Sequence, residues 1–504
     1  MQHRTAAYVF AMITLLSAHM VQAQDYGEGG ANRSPAIALD NAQRRHEHWR
    51  AIGRLHVDQA SQRSRCTGAL IDSRDGATHA AGPAYILTSG HCATRHSLNF
   101  TRDTLIQGHI DFDYFLGNMH RTQRHELKQI VRATMRGADL ALIELKTPLQ
   151  ELLDLGIEPL KLSPRPPTDG TDLMVVGAPS GHESAPGLRL SLCAYEGEED
   201  LVEEVFVFRG FYKHRCAGIA PGSSGSPLLD RRSNRIVGVL STSTGLAKEE
   251  NRCQTNAPCE IKAGQPAWSA DTQYSSPAMG LQSCFVRGQF NPDGQECILR
   301  STLEMTLGDD YSPNTYQRIT LDRQGNPVFP TWSWPFSLDT PMYRYKATRS
   351  ATECESPHYY NDAADAANAL IDDPVGPEAG MHFLCIIGVT SQAQRPAREM
   401  MKTPVVIAME LAPAGPTRMP ELTIDRLNDG GYRVTPYFST PSLWVYTFKS
   451  GAPDTVRCDE QEGYTPHFEG AKTFEASELP IKLCSKAHDL SKQASLPRTD
   501  LLEP

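Results

Sequence analysis

TSGHC at positions 88–92, GADLALIEL at 137–145 and PGSSGSP at 221–227 are the three stretches that decide the fold of this chain. Each adjoins a short apolar run, and runs of this length bounded by Gly, Pro, Asp and Ser are typical of β-strands. Similar runs lie at 66–71, 85–88, 173–176, 205–208 and 236–240. The pattern predicts an all-β barrel or sandwich, with one short helix at 147–155.

The same three segments carry residue types that suit nucleophilic catalysis. A serine hydroxyl needs a base to take its proton during attack, and a neutral imidazole has the right basicity. A buried carboxylate keeps such an imidazole in the correct tautomer and stabilises the imidazolium. The glycines around Ser224 let successive backbone N–H groups point at one spot, where they would stabilise a negative oxygen.

The order His…Asp…Ser, with 48 residues from His91 to Asp139 and 85 from Asp139 to Ser224, resembles that of the chymotrypsin/trypsin-like serine proteases. TSGHC is similar to the family's TAAHC box, GADLALIEL to its D-[ILV]-A-L-[ILV] strand, and GSSGSP to its GDSGGP box. CTGALI at 66–71 resembles the strand C-G-G-[ST]-L-[IV]. The resemblance covers about residues 51–245 and implies a double β-barrel.

It also implies a role for each matching residue. His91 would be the general base, Asp139 its orienting partner and Ser224 the nucleophile, with the backbone N–H groups of Gly222 and Ser224 as the oxyanion hole. Ser223 and Ser226 are rival nucleophiles that fit less well. Only Ser224 has a Gly two residues before it and one after it.

Two departures from the family's pattern bear on activation and specificity. Ser223 stands where zymogen-activated members have an Asp, so the chain resembles the bacterial-type branch, which includes glutamyl endopeptidase relatives. Gly218, six residues before the nucleophile, lacks the carboxylate that trypsin-like enzymes place there. Ser241, Thr242 and Ser243 are expected to form the pocket wall and to pair with the substrate backbone. No side-chain preference is predicted.

The N-terminus predicts export. A short basic start, an apolar run at 6–20 and VQA at 21–23 indicate a signal peptide over 1–23, followed by a polar leader or short propeptide at 24–50. Whether activity requires removal of 24–50 is left open. No later run approaches the roughly 18 apolar residues of a membrane span. We expect a secreted or periplasmic protein without a membrane span after signal removal.

The charge and the cysteine content of the chain limit which partners, metals and disulfides can be expected. The chain carries 49 Lys+Arg against 59 Asp+Glu, a net charge of −10, which argues against nucleic-acid binding. No CxxC and no zinc-finger spacing occur among the 12 Cys, so no metal is predicted, and the mechanism needs no cofactor. In an oxidising compartment we expect six disulfides. The resemblance implies Cys66–Cys92, and the other expected pairs are Cys193–Cys216, Cys253–Cys259, Cys284–Cys297, Cys354–Cys385 and Cys458–Cys484.

The second half contains a weak repeat. MYRYK at 342–346 and VYTFK at 445–449 each precede one Cys, and an apolar strand then carries a second. After a protease domain at 51–281, we therefore expect β-rich modules at 282–420 and 421–504. They would resemble immunoglobulin-like or related β-sandwiches. Two unrelated disulfide loops in one larger β domain are the alternative. A helix-like stretch lies at 362–372.

These observations predict an exported serine endopeptidase that acts on protein or peptide substrates through an acyl-enzyme. Its C-terminal modules would bind a cell-surface or matrix ligand. The alternative is a non-catalytic exported binding protein, whose protease-like barrel is a scaffold and whose β-sandwich modules bind a ligand.

Overall fold

The computed structural model describes residues 24–59, 62–74, 82–94, 98–180, 186–294, 297–307, 315–367, 369–438, 442–468 and 470–504. The predicted signal peptide at 1–23 lies outside this part of the chain. Within the described residues, no helix combines the length and apolar character that crossing a membrane requires.

The first half folds into two closed β-barrels. After a two-residue strand, β1 (Ile37–Ala38), one sheet is formed by β2 (Ile52–Gln59), β3 (Gln62–Ile71), β4 (Pro83–Thr88), β5 (Thr101–Leu105), β6 (Gly108–Phe112), β7 (Gln123–Thr134) and β8 (Leu140–Pro148). Its order is β5-β7-β6-β2-β3-β4-β8, and β7 also pairs with β8. That last pairing closes six of the strands into a barrel and leaves β5 outside the ring.

The second barrel closes in the same way. Its sheet contains β9 (Asp172–Gly177), β10 (Arg189–Glu203), β11 (Phe206–His214), β12 (Pro227–Asp230), β13 (Ile236–Ser243), β14 (Cys259–Lys262), β15 (Gln265–Ala267) and β16 (Gln273–Pro277). The order is β11-β16-β13-β12-β9-β10-β14-β15, and β10 also pairs with β11. The predicted all-β, double-barrel fold is therefore confirmed.

Strands at the junction of the barrels are buried on both faces. Ile86 and Ile143 pack inside the first barrel. Their neighbours Leu87 and Leu142 face a second cluster that also holds Met174 of the second barrel. Side chains alternate across a strand, so a strand with two buried faces needs a continuous apolar run. This explains the unbroken YIL and LALI runs of the sequence.

Among the described residues, helices are few and short. They are α1 (Gly90–Ala93), α2 (Leu149–Asp154) and α3 (Arg398–Lys402), with 3-10 turns at Glu47–Trp49, Met119–Arg121, Glu249–Asn251, Leu281–Cys284, Ala351–Glu355 and Ala476–Glu478. The helix expected at 147–155 thus forms as α2. The leader predicted at 24–50 packs on the second barrel: β1 pairs with β10, and Asp25 forms an ion pair with Arg231.

Beyond the barrels the chain continues as short strands. They are β17 (Phe285–Val286), β18 (Gln289–Phe290), β19 (Met305–Thr306), β20 (Tyr316–Arg318), β21 (Thr320–Leu321), β22 (Pro327–Val328), β23 (Trp334–Leu338), β24 (Met342–Thr348), β25 (Ala364–Asp365), β26 (Ala369–Ile371), β27 (Gly380–Val389) and β28 (Val405–Ala412). A sheet of order β20-β28-β27-β24-β25 and one of order β19-β23-β26 share an apolar cluster.

The prediction of a helix at 362–372 is wrong, because the described residues of this stretch form β25 and β26. Strand pairing with β24 and β23, together with burial of Ala366, Ala369 and Ile371, overrides the helical propensity of the alanines.

The last strands form a second pair of sheets. They are β29 (Glu421–Arg426), β30 (Tyr432–Tyr437), β31 (Leu443–Gly451), β32 (Thr465–His467), β33 (Lys472–Phe474), β34 (Ile481–Asp489) and β35 (Arg498–Leu502). The orders are β29-β30-β33 and β32-β31-β34-β35, around one apolar cluster. The two-module division at 420/421 and the immunoglobulin-like assignment stay predictions.

The first C-terminal sheet does not stand apart from the barrels. Val202 and Val207 of the second barrel share an apolar cluster with Phe383 of β27 and Ala408 of β28. All twelve cysteines form disulfides: Cys66–Cys92, Cys193–Cys216, Cys253–Cys259, Cys284–Cys297, Cys354–Cys385 and Cys458–Cys484.

Candidate active site

His91 and Asp139 meet at the junction of the two barrels. The His91 Nδ1 lies 2.8 Å from Oδ2 of Asp139, and the His91 backbone N–H donates to Oδ1 at 2.9 Å. Asp139 is 1% exposed, whereas the His91 side chain keeps 33% of its exposure. One oxygen of the buried carboxylate thus binds the ring and the other binds the backbone of the same residue, while part of the imidazole stays exposed.

Gly90 allows this close approach. A Cβ at this position would lie 2.1 Å from the Thr134 carbonyl oxygen and 2.9 Å from Oδ1 of Asp139. The glycine in TSGHC is therefore required for space, since any side chain there would push α1 away from the carboxylate.

Charges at the site shift both pKa values. Burial lowers the pKa of His91, but the charge and hydrogen bond of Asp139 outweigh it and raise the pKa above 6.5. Burial raises the pKa of Asp139. The charge and hydrogen bonds of His91 and the hydrogen bond of the Ser241 hydroxyl lower it by more, so the pKa of Asp139 lies below its usual value. Asp139 is therefore ionised at neutral pH and stabilises the imidazolium form of His91.

Ser224 is the serine of the GSSGS segment that reaches the cleft. A cleft of about 490 Å³ is lined by Ser224 and His91 together. Ser223 and Ser226 are 3% and 0% exposed. The Ser226 hydroxyl donates to the Ser223 carbonyl at 2.6 Å, and the Ser223 hydroxyl accepts from the Ala220 N–H at 3.4 Å. The rival serines are thus held inside their own loop.

Hydrogen bonds to their carbonyl groups fix the orientation of two peptide planes in this loop. The carbonyl of Pro221 accepts hydrogen bonds from the Ser180 amide and hydroxyl, both at 2.8 Å. The carbonyl of Ser223 accepts from Ser226 in the same way. In a trans peptide the N–H points opposite to the C=O, so the amides of Gly222 and Ser224 point away from these anchors. Neither amide has an acceptor among the described residues.

Gly222 adopts a backbone conformation that suits glycine. Its φ is +93°, and a Cβ would lie 2.5 Å from the Ser180 Oγ and 2.7 Å from the Ser180 backbone nitrogen. Both the left-handed φ and the lack of space require glycine at this position. The loop conformation that presents the two amides thus depends on this residue.

Thr67 of β3 ties the loop to the first barrel. Its Oγ1 donates to the Gly222 carbonyl at 2.9 Å and accepts from the Ala178 N–H at 2.9 Å, while its own N–H donates to the Ser224 carbonyl at 2.8 Å. Thr67 is fully buried. The sequence placed this residue in a strand without indicating such a role.

The residues expected to bind substrate have different surroundings. Ser241, Thr242 and Ser243 all line the cleft, but the Ser241 hydroxyl donates to Oδ2 of Asp139 at 2.5 Å. Ser241 therefore anchors the carboxylate. Gly218 is not among the residues lining the cleft; a Cβ there would lie 2.5 Å from the Cβ of Ala36.

An acidic side chain that the sequence did not single out lies beside the cleft. Glu203 ends β10, and its Oε1 accepts a hydrogen bond of 2.6 Å from the backbone N–H of Asn256, which lines the cleft. Burial raises the pKa of Glu203 to about 7, opposed by the Thr242 hydroxyl, the Asn256 amide and His91. The segment 197–204 contains several acidic residues, in GEED at 197–200 and in EE at 203–204. Nothing in the sequence distinguishes Glu203 from the others.

Three groups of described side chains have the spacing of metal ligands. Two of them combine a histidine with cysteines that are joined in disulfides, Cys66–Cys92 and Cys193–Cys216. The third is His56, His109 and Asp111. Arg124 donates to both oxygens of Asp111, at 2.9 and 3.3 Å, so that carboxylate already has a cationic partner.

A buried carboxylate that binds a partly exposed imidazole, a serine in the same cleft and two amides without acceptors among the described residues are groups that suit acyl transfer. Residues 66–239 match the family model of the trypsin-like peptidase domain. The matched residues 66–239 contain His91, Asp139 and Ser224. No curated protein sequence matches the chain at a significant level.

Several solved protease structures are similar to part of this chain. The serine endoprotease from Yersinia pestis is 14% identical with a TM-score of 0.26, over 41% of this chain and 59% of that one, less than two thirds of its length. Protease Anisep from Arthrobacter nicotinovorans is 14% identical with a TM-score of 0.31, over 45% of this chain and 90% of that one. A Glu endopeptidase in complex with MPD is 14% identical with a TM-score of 0.31, over 50% and 93%.

Proposed function

We propose that this chain is an exported serine endopeptidase that uses His91, Asp139 and Ser224 as its catalytic residues. The observation that carries the proposal is the meeting of the His91–Asp139 pair with Ser224 in one cleft, whereas Ser223 and Ser226 are held inside their loop. The match of residues 66–239 to a peptidase family supports the same reaction class.

In the proposed reaction, the Ser224 oxygen attacks the carbonyl carbon of the scissile peptide bond while Nε2 of His91 takes the hydroxyl proton. Asp139 holds the Nδ1–H and stabilises the imidazolium. The amides of Gly222 and Ser224 donate to the negative oxygen of the tetrahedral intermediate. His91 then gives its proton to the leaving amine, which leaves an acyl group on Ser224. Water activated by His91 hydrolyses that ester.

Export is part of the proposal. Six disulfides in the described structure fit an oxidising compartment, outside the cell or in a periplasm. Mass spectrometry of the mature N-terminus would test cleavage after residue 23 and show whether 24–50 is retained. A surface or matrix ligand for the modules at 282–420 and 421–504 remains a proposal to be tested by binding assays.

A fluorophosphonate probe tests the nucleophile. We expect the wild-type protein to be labelled, Ser224→Ala to lose labelling completely, and Ser223→Ala, a matched control in the same loop, to keep it. Hydrolysis of a casein substrate should follow the same order. Folded, processed wild-type protein that neither labels nor cleaves would contradict the proposal and favour the non-catalytic binding protein.

A further inference from the structure

Glu203 places a carboxyl group beside the cleft on the side formed by β13. Its Oε1 is bound by the Asn256 backbone N–H, and the Thr242 hydroxyl adjoins the same carboxyl. Asn256 and Thr242 both line the cleft that contains His91 and Ser224. The carboxyl therefore lies at the border of the space where a bound peptide would run.

This carboxyl lacks a cationic partner within the described part of the chain. Two other acids of β10 are paired: Glu196 with Arg215 and Glu199 with Lys262. Glu203 has no such ion pair among the described residues, although it is only partly exposed. A partly buried carboxylate without a counter-charge is costly, because burial removes water that would otherwise solvate it.

A cation brought by a bound molecule would remove that cost. A Lys or Arg side chain lying along Thr242 could reach the carboxyl and form a charge-assisted hydrogen bond. A neutral side chain there would leave the Glu203 carboxylate without a counter-charge, and an acidic side chain would be repelled by it. The cleft thus favours positive charge at this point, although position 218 has no carboxylate.

We propose that Glu203 forms a subsite that binds a Lys or Arg side chain of the peptide substrate, at one position along the strand that lies next to Thr242. This inference rests on the proposed peptidase function and extends it to a substrate class. The subsite is distinct from the position six residues before Ser224, since Gly218 packs against Ala36.

Quenched fluorescent peptides test the subsite. One position at a time carries Lys or its uncharged counterpart norleucine, and kcat/KM is measured for the wild type, Glu203→Gln and Glu204→Gln. We expect Lys to be preferred about tenfold or more at one position, because hydrogen bonds between charged groups are stronger than neutral ones. Glu203→Gln should lose this preference. Glu204→Gln should keep it, because the Glu204 carboxylate binds the exposed Thr255 hydroxyl.

The outcomes separate this inference from the proposed function. Cleavage by the wild type with equal rates for Lys and norleucine at every position would overturn the subsite but leave the peptidase intact. A preference that survives in Glu203→Gln would also overturn it. If Glu203→Gln fails to fold by circular dichroism, the wild-type comparisons of Lys with norleucine and Arg with citrulline still decide the matter. A wild type that cleaves no peptide and takes no probe would contradict both proposals.

Discussion

The guanidinium of Arg136 donates a hydrogen bond of 2.8 Å to the carbonyl oxygen of Leu303, which joins the loop before Asp139 to the segment after the second barrel. Arg136 is 4% exposed and also donates to the Leu98 carbonyl at 2.6 Å. Burial lowers its pKa to about 10, so the side chain stays charged at neutral pH. The sequence beyond the barrels therefore helps to hold the loop that carries Asp139.

Replacing Arg136 should affect both stability and catalysis. Arg136→Ala leaves the carbonyls of Leu98 and Leu303 unpaired, and we expect a loss of about 3 kcal/mol in the free energy of unfolding. A displaced Asp139 should lower kcat at least about tenfold. Urea unfolding and peptide kinetics measure the two effects. Arg102→Ala is the control: Arg102 pairs with Glu304, but 42% of its side chain is exposed, so the loss should stay below about 1 kcal/mol. Equal losses of stability and of kcat in the two variants would contradict the proposal that Arg136 helps to hold the loop that carries Asp139.

A methyl group at Gly90 should disable the site while the barrels stay folded. The Cβ of Gly90→Ala would overlap the Thr134 carbonyl and crowd Asp139, so α1 must shift and carry His91 with it. Such a shift should lower kcat/KM about a hundredfold. Gly170→Ala is a control for backbone strain alone: its φ is +77° and a Cβ there meets nothing within 4 Å, so it should lower stability and leave kcat/KM unchanged. Wild-type activity in Gly90→Ala would show that the His91–Asp139 distance does not limit the reaction.

The acid limb of the pH profile should report His91. Catalysis needs the neutral imidazole, so kcat/KM for an uncharged peptide falls as the pH drops through the pKa of His91, which lies above 6.5. The negative charge of Glu203 contributes to raising this pKa. Glu203→Gln removes that charge, so the limb should move to lower pH, while Glu204→Gln leaves it in place. A limb that moves to higher pH in Glu203→Gln would contradict the assigned sign.

The segment at 24–50 should behave as part of the folded protein. Trp49 is 0% exposed, and its indole N–H donates to Oδ1 of Asn234 at 2.9 Å. Trp49→Ala should lower the free energy of unfolding by about 3–5 kcal/mol, because it leaves a large cavity beside the second barrel. Ile37→Ala, at a residue 51% exposed, should change it by less than about 0.5 kcal/mol. Denaturant unfolding compares them, and an unchanged Trp49→Ala midpoint would favour a removable leader.

Local sequence predicts the barrels well because each junction strand is apolar on both faces. The runs at 85–87 and 140–143 could therefore be assigned without knowing their partners. The helix prediction at 362–372 is wrong because it rests on the alanines, which favour a helix, whereas two separate sheets include the stretch as strands. Local propensity could not include those distant partners.

Positions that depend on long-range pairing could not be predicted at all. Arg136 reaches a carbonyl 167 residues away, and Glu203 meets Asn256 only through the path of the chain after β13. Ser241 was expected to contact substrate, but its hydroxyl binds Asp139, which is 102 residues earlier in the chain. In each case the residue type is ordinary for its segment, so the sequence alone carried no signal.

The position of Thr67 couples the integrity of the site to the contact between the barrels. Its hydroxyl and amide from the first barrel hold two carbonyls of the loop that carries Ser224 in the second. Separating the two barrels would break these two hydrogen bonds and let the adjoining peptide units rotate. The amides of Gly222 and Ser224 would then no longer be held in place as a pair of donors. Loss of activity on heating should accordingly accompany separation of the two barrels.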